Sequence, residues 1–229
     1  MKPKTIVITG ASRGIGKELV IQLAEYSGHQ ILALSRNEAK MESDFEDFEN
    51  VSCHAFDLSR DDVKEQTEKI LSGIDSVDVL INNAGFLVNK PFLEITHEDF
   101  LTSYKINVTG VMETVQAVVP KMTNAHIVNI SSVGGYQGSV KFPGLTAYST
   151  SKAALCSFTE LFAEEYKETG IAMNCLCLGA AQTEMLEAAF PGYEAPVSAS
   201  EMAEYIANFA LNAQKWMRGK IIPVSLSTP

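Results

Sequence analysis

The chain has 229 residues, 46% hydrophobic and 20% charged, which fits a single globular domain over residues 1–229. Its 28 acidic and 18 basic residues give a net charge of −10, which argues against nucleic acid or an anionic membrane surface as a partner. No apolar run approaches the roughly 20 residues of a membrane span, and the first residues lack the features of a signal peptide. We therefore expect a cytoplasmic protein.

Seven short segments rich in β-branched residues alternate with helical segments. They are TIVITG (5–10), HQILALS (29–35), VSCHAFDL (51–58), VDVLINNAG (77–85), AHIVNISS (125–132), IAMNCLCLG (171–179) and KIIPVS (220–225). This alternation predicts an α/β fold, a doubly wound Rossmann-type domain whose seven-stranded, mostly parallel sheet carries helices on both faces. Because Pro223 cannot donate to a sheet ladder, the last strand is expected at an edge.

Apolar residues at helical spacing predict amphipathic helices between these strands. One continuous stripe covers residues 100–115 behind a capping box formed by Thr96 and Asp99. Another helix is predicted from about residue 148 to about residue 167. The acidic segment MESDFEDFEN (41–50) is interpreted as a solvated connection without a function.

The segment TGASRGIG (9–16) follows the first strand and opens the first helix. In a doubly wound fold this position presents backbone N–H groups and a positive helix end to a phosphate. Glycine permits the tight turn and a close approach of the backbone to a pyrophosphate, although the spacing differs from G-x-G-x-x-G. The residues predicted to bind a dinucleotide here are Gly10, Ser12, Arg13, Gly14, Ile15 and Gly16.

The end of the second strand indicates which dinucleotide is bound. An acidic residue at this position usually accepts a hydrogen bond from the adenine-ribose 2′-hydroxyl, but this chain has Ser35 and Arg36. A guanidinium can bind a 2′-phosphate, and Arg13 in the glycine turn is expected to reach the same group. We therefore predict a preference for NADP(H) over NAD(H); two exposed arginines without a ligand are the alternative.

Five segments in this order resemble the short-chain dehydrogenase/reductase family. They are TGASRGIG (9–16), Asp57 with Leu58, NNAG (82–85), NISS (129–132) and YSTSK (148–152). Each segment is weak evidence alone, but together they cover almost the whole chain. The resemblance implies a nicotinamide-dependent oxidoreductase.

Site residues follow from this resemblance position by position. It implies that Tyr148 is the catalytic acid/base, Lys152 its partner, Ser132 the substrate-orienting hydroxyl and Asn107 a relay residue. Ser132 is chosen over Ser131 because the family's serine precedes a step like SVGG. The further cofactor contacts that it implies are Asp57, Leu58, Asn83, Ala84, Gly85, Ala181 and Thr183, in addition to Tyr148 and Lys152.

The spacing of Tyr148 and Lys152 has a chemical reason of its own. Residues i and i+4 share one face of a helix, so the phenol and the ammonium can lie side by side. A free phenol has a pKa near 10, and a neighbouring cation stabilises the phenolate. We expect a lowered pKa for Tyr148, which would suit a general acid/base.

Asn107 interrupts an apolar stripe, and asparagine competes for backbone hydrogen bonds inside a helix. Two interpretations stay open for it. Either its side chain bonds a bent segment of backbone, or it holds a water linked to Lys152. The resemblance favours the second.

The four cysteines, Cys53, Cys156, Cys175 and Cys177, show no Cys-x-x-Cys pair or histidine cluster, and no metal site is predicted from them. On a strand, Cys175 and Cys177 share a face with Cα atoms about 6.6 Å apart, near the limit for a disulfide. We interpret them as buried free thiols.

The substrate is expected to be a small carbonyl compound or secondary alcohol with an apolar body. Residues predicted to line its pocket are Phe86, Tyr136, Phe142, Met185, Leu186 and Phe190. Two alternatives are a 3-oxoacyl reductase acting on acyl carrier protein, whose acidic charge this chain would repel, and a non-catalytic NADP-binding regulator. A homodimer or homotetramer is implied by the resemblance; Val111, Val115, Leu155 and Phe158 are interpreted either as its contacts or as core.

Overall fold

The computed structural model describes residues 2–25 and 28–226. Within them lies one sheet of seven parallel strands in the order β3-β2-β1-β4-β5-β6-β7. The strands are β1 (Thr5–Thr9), β2 (Gln30–Ser35), β3 (Val51–Ala55), β4 (Val79–Asn82), β5 (His126–Ser132), β6 (Ala172–Leu178) and β7 (Ile221–Val224). The predicted doubly wound fold is confirmed, and each predicted segment contains one strand.

Helices cover both faces of the sheet. They are α1 (Gly14–Glu25), α2 (Glu38–Asp44), α3 (Val63–Ile70), α4 (His97–Tyr104), α5 (Gly110–Val118), α6 (Thr146–Glu165), α7 (Glu184–Ala189) and α8 (Ala199–Asn212). Apolar residues of α1 and α8 form one core cluster with the sheet, and those of α3, α5 and α6 form the second. No helix in the described ranges combines the length and apolar character that crossing a membrane requires.

The strand order places β1 between β2 and β4. At this point the strand order reverses, because β2 and β3 lie on one side of β1 and β4 to β7 lie on the other. Doubly wound sheets bind ligands in the crevice outside the carboxyl ends of the strands at this point. β7 is the edge strand next to β6, and its Pro223 is paired with Cys177. The predicted edge position of Pro223 is therefore confirmed.

Segment 41–50 is more ordered than the sequence interpretation proposed. Its first residues belong to α2, whose N-terminus is capped by the Asn37 side chain accepting from the Lys40 backbone N–H. Met41 and Phe45 are buried in the core. The interpretation of these residues as a solvated connection was wrong, because two apolar side chains at i and i+4 bury one face of an otherwise acidic turn.

The predicted stripe over residues 100–115 is divided into two helices. A π-helical turn at Lys105–Thr109 separates α4 from α5, and the predicted capping box of Thr96 and Asp99 is present at the start of α4. Tyr104 is exposed although the stripe assigned it to the buried side. The extra residue of a π turn rotates the residues before it relative to those after it.

Three of the residues considered for a dimer contact lie in the core of the chain itself. Val111, Val115 and Leu155 are 1–2% exposed, and only Phe158 is partly buried. Core packing, the alternative given for these residues, is therefore the one that the structure supports.

The four cysteines are free thiols, as predicted for Cys175 and Cys177. Both of these lie on β6 and are buried. Cys156, on α6, packs against them, and Cys53 lies separately on β3.

Candidate active site

The glycine turn after β1 is a cradle made of backbone. Gly10 and Gly14 have φ angles of +72° and +51°, a region that side chains disfavour. Gly16 has no unusual φ, but a Cβ there would lie 2.1 Å from the Gly10 carbonyl oxygen. A Cβ on Gly10 would lie 2.7 Å from the Ala84 Cα. Each glycine thus leaves space that any side chain would fill.

A cleft of about 750 Å³ extends from this cradle along the carboxyl edge of the sheet. The structure brings nearly all predicted site residues together there. Those that line it are Gly10, Ser12, Arg13, Gly14, Ile15, Gly16, Ser35, Arg36, Asp57, Leu58, Asn83, Ala84, Gly85, Ser132, Tyr148, Lys152, Ala181 and Thr183. Asn107 is the predicted catalytic residue that does not line it.

Two arginines face the end of the cleft near β2. The hydroxyls of Ser12 and Ser35 are 2.8 Å apart, which joins the glycine turn to the end of β2. Arg13 and Arg36 are exposed beside them, and neither guanidinium forms an ion pair with any residue in the described ranges. Both cations therefore remain available to an anion in the cleft.

The catalytic candidates converge at the middle of the cleft, from β5 and α6. Lys152 follows Tyr148 by one helical turn, and its Nζ lies 5.9 Å from the centre of the Tyr148 ring. The Ser132 side chain lies close enough to the phenol to lower the pKa of Tyr148. The phenol, hydroxyl and ammonium thus share one region at the carboxyl end of β5.

Lys152 is held by the end of β5 from two directions. Its Nζ donates to the Ile130 carbonyl at 2.8 Å, while its own carbonyl accepts from the Ser131 hydroxyl at 2.8 Å. Gly85 leaves room for the ammonium, since a Cβ there would lie 3.3 Å from Nζ. Ser131 therefore fixes α6 to the sheet, whereas the neighbouring Ser132 hydroxyl accepts from the Gly134 backbone N–H at 3.2 Å.

The pKa of Tyr148 differs from the sequence expectation. Burial raises it to about 12, and the polar Ser132 side chain acts in the opposite direction. Burial also lowers the pKa of Lys152 to about 8. The expected lowering of the Tyr148 pKa by Lys152 is not found, because burial has the largest effect and the opposing contribution comes from Ser132.

Asn107 lies in the π turn between α4 and α5, fully buried behind the cleft. Its side-chain oxygen accepts from the Phe86 backbone N–H, and its amide donates to the Phe86 carbonyl and the Ser151 hydroxyl. Both amide hydrogens are thus used within the protein. These contacts agree with the interpretation that the Asn107 side chain bonds a bent segment of backbone. The alternative, that it holds a water linked to Lys152, stays a prediction.

The other end of the cleft is largely apolar. Five of the residues predicted for the substrate pocket line it: Phe86, Phe142, Met185, Leu186 and Phe190. Tyr136 does not, and that prediction was wrong. Other residues line the cleft without having been predicted from the sequence, among them Leu87, Asn89, Leu145 and Tyr193. The signal for Asn89 was a lone amide in the otherwise apolar segment FLVN, too weak to assign a role.

Comparison with known proteins agrees with this architecture. Residues 4–194 match the family described as short chain dehydrogenase. Dehydrogenase/reductase SDR family member 6 of Xenopus laevis is 33% identical over 187 residues, covering 80% of this chain and 73% of the relative. A 3-oxoacyl-acyl-carrier-protein reductase of Thermotoga maritima is 32% identical over 195 residues, covering 82% of this chain and 78% of the relative.

A solved structure extends the likeness to the whole fold. A short chain dehydrogenase from Burkholderia cenocepacia in complex with NADP has a TM-score of 0.86 at 21% identity, covering 97% of this chain and 96% of that one. A doubly wound sheet with a glycine cradle defines a nucleotide-binding protein. More narrowly, this chain belongs to the short-chain dehydrogenase/reductase family, whose members are oxidoreductases that bind a nicotinamide cofactor.

Proposed function

We propose that this single-domain protein is an NADP(H)-dependent oxidoreductase that interconverts a carbonyl compound and a secondary alcohol with an apolar body. The observation that carries the proposal is the convergence of Ser132, Tyr148 and Lys152 in the cleft that begins at the glycine cradle. Together these groups can bind a substrate oxygen and exchange a proton with it, which binding of a nucleotide alone does not require.

The residues present fit a dinucleotide phosphate. Gly10, Gly14 and Gly16 leave space for a pyrophosphate against the backbone, and the N-terminus of α1 adds its positive end. Arg13 and Arg36 supply two cations for a 2′-phosphate, which supports NADP(H) over NAD(H). When bound, the nicotinamide supplies or accepts the hydride.

Tyr148 holds the proton that this chemistry needs. With a pKa of about 12 its phenol is protonated at neutral pH, which is the form that donates to the oxygen of a carbonyl being reduced. The Ser132 hydroxyl supplies a second hydrogen bond to the same oxygen. Donors directed at developing negative charge commonly lower a barrier by a few kcal/mol.

Lys152 places a positive charge one turn from the phenol. This charge favours the phenolate that remains after proton donation. In the reverse direction the same pair accepts the proton of an alcohol. The contacts to Ile130 and Ser131 fix where the charge lies, which limits the reorganisation required during the reaction.

Replacing Tyr148 by phenylalanine tests the proposal, since Phe keeps the ring and removes the proton. We expect NADPH oxidation against a panel of apolar ketones and aldehydes to fall about 100-fold or more, with NADPH affinity unchanged. Tyr104→Phe, at an exposed tyrosine on α4, is the matched control and should keep full activity. Equal activity of Tyr148→Phe and the parent would contradict the role of Tyr148, whereas a parent that binds NADPH but turns over no member of the panel would support a non-catalytic NADP-binding regulator.

A second candidate is reduction of 3-oxoacyl groups carried by acyl carrier protein. The Thermotoga maritima relative that is named for this activity, 32% identical, favours it. The net charge of −10 opposes it, because the carrier is acidic. Turnover of a 3-oxoacyl thioester should be compared on the carrier and on a small thiol. A carrier-bound substrate that reacts at least tenfold faster would support this candidate.

A further inference from the structure

Three thiols meet between α6 and β6, on residues that sequence spacing did not connect. The Cys156 sulfur on α6 lies 3.6 Å from the Cys177 sulfur and 4.0 Å from the Cys175 sulfur, both on β6. All three sulfur atoms lie within 4.8 Å of one another. The two cysteines of β6 share one face because they are two residues apart on a strand.

These distances suit a shared metal ion. Two sulfur ligands at the usual zinc–sulfur distance of about 2.3 Å lie about 3.8 Å apart in a tetrahedral site and about 4.0 Å apart in a planar three-coordinate one. No histidine or carboxylate joins the group among the described residues. A donor set of sulfur alone selects soft, thiophilic ions over hard ones such as Mg²⁺ or Ca²⁺.

The surroundings of the cluster also suit an ion. Cys175 and Cys177 are fully buried, while Cys156 is partly exposed and offers a side of entry. The Lys152 ammonium interacts electrostatically with all three thiols, so it offsets part of the negative charge of a thiolate complex. The cluster is therefore enclosed between α6 and β6, with one partly exposed ligand and a nearby cation.

We propose that Cys156, Cys175 and Cys177 form a binding site for one soft closed-shell metal cation, Zn²⁺ or Cu⁺. Binding breaks three S–H bonds, releases three protons and forms three metal–sulfur bonds without any transfer of electrons. Because the ligands must lose protons, the affinity falls as the pH is lowered. The ion would join α6 to β6 one helical turn after Lys152.

The test is metal binding by the full chain, purified with a reductant and freed of metal. Zn²⁺ and, under anaerobic conditions, Cu⁺ are added separately, and bound metal is measured after equilibrium dialysis. We expect one equivalent of at least one of the two ions, a thiolate-to-metal absorption band in the case of Cu⁺, and a higher thermal midpoint. Mg²⁺ and Ca²⁺ should show none of these effects.

Variants assign the ligands. Cys156→Ser, at the partly exposed position, should lower the affinity at least tenfold, and Cys175→Ala and Cys177→Ala should do the same. Cys53→Ser is the matched control, since Cys53 lies on β3 outside the cluster, and should bind as the parent does. Circular dichroism establishes that each variant is folded before binding is compared.

Two results would overturn the proposal. One is the absence of a stoichiometric ion at any pH where the protein is folded. The other is binding that survives Cys156→Ser unchanged and is lost in Cys53→Ser. Because dialysis and absorbance are read without substrate, neither result depends on whether the chain is an oxidoreductase.

Discussion

The nucleotide end of the cleft is built from backbone, whereas the substrate end is built from side chains on separate segments. At the first end, Gly10, Gly14 and Gly16 shape one continuous segment from the end of β1 into the first turn of α1. At the second, residues from the connections after β4, β5 and β6 converge. A short motif can specify the first end, because all its parts are adjacent in sequence. The second depends on how distant segments pack.

The largest effect expected at the nucleotide end is that of Gly16→Ala. The added methyl would lie 2.1 Å from the Gly10 carbonyl oxygen and 2.5 Å from the Asn83 amide, so the cradle must open. We expect NADPH affinity, measured by fluorescence titration, to fall about 100-fold, roughly 3 kcal/mol.

Gly73→Ala separates this contact from the general effect of replacing a glycine. Gly73 has a φ of +94°, but nothing in the described part of the chain lies within 4 Å of an added methyl, so only backbone strain results. Its NADPH affinity should equal that of the parent. If Gly16→Ala binds NADPH as tightly as Gly73→Ala, the backbone cradle does not hold the nucleotide.

The pH dependence of kcat/KM tests the role of Lys152, which lies in the middle of the cleft between its two ends. Burial lowers the pKa of Lys152 to about 8, so its ammonium is present below that pH and is lost above it. The kcat/KM for carbonyl reduction should therefore be level below about pH 7 and fall up to tenfold per unit above about pH 8. Lys152→Arg keeps its charge throughout, and any residual activity should lack this fall. A parent profile that stays level to about pH 10 would contradict the assignment.

Replacing Arg36 is expected to have a smaller effect on NADPH binding than replacing Gly16. Removing a guanidinium that binds a phosphate costs about 1.5–3 kcal/mol, so Arg36→Ala should weaken NADPH binding at least tenfold. NADH binding, which involves no 2′-phosphate, should be unchanged. Arg60→Ala is the matched control, because Arg60 lies nearby but is paired with Asp62 at 2.7 Å. Equal losses for NADPH and NADH would contradict the role of Arg36.

The same contrast explains which parts the sequence predicted. Local sequence patterns were sufficient to predict the seven strands, the capping box at Thr96 and the edge position of Pro223. They failed for Met41 and Phe45, because the acidic residues around them concealed an apolar pair one helical turn apart. Alternation and capping depend on neighbours in the chain, whereas burial depends on what packs against a segment.

The candidate site shows this limit more clearly. The family resemblance correctly predicted that Ser132, Tyr148 and Lys152 lie together. The pKa of Tyr148, however, is raised, whereas the sequence analysis expected it to be lowered. The spacing of Tyr148 and Lys152 does not reveal that segments distant in sequence bury the phenol and remove water from it. Likewise, Cys156 reaches Cys175 and Cys177 only through the packing of α6 on β6, which no Cys-x-x-Cys search detects.

The smallest expected effect belongs to Asn89 at the substrate end. Its amide donates to the Ala189 carbonyl at 2.8 Å, and the neighbouring Lys90 N–H donates to the Gly144 carbonyl at 3.0 Å. The connections after β4, β5 and β6 are thus joined at this point. One exposed hydrogen bond contributes about 0.5–1.5 kcal/mol, so Asn89→Ala should raise KM for an apolar ketone about threefold.

The NADPH affinity of Asn89→Ala should not change, because the lost bond lies at the substrate end alone. Asn212→Ala serves as the control, since this partly exposed asparagine forms its hydrogen bonds within and beside α8. A rise in KM for the ketone without a change for NADPH would show that the two ends of the cleft are ordered independently. Equal losses at both ends would instead mean that the bond to Ala189 orders the whole cleft, including the glycine cradle.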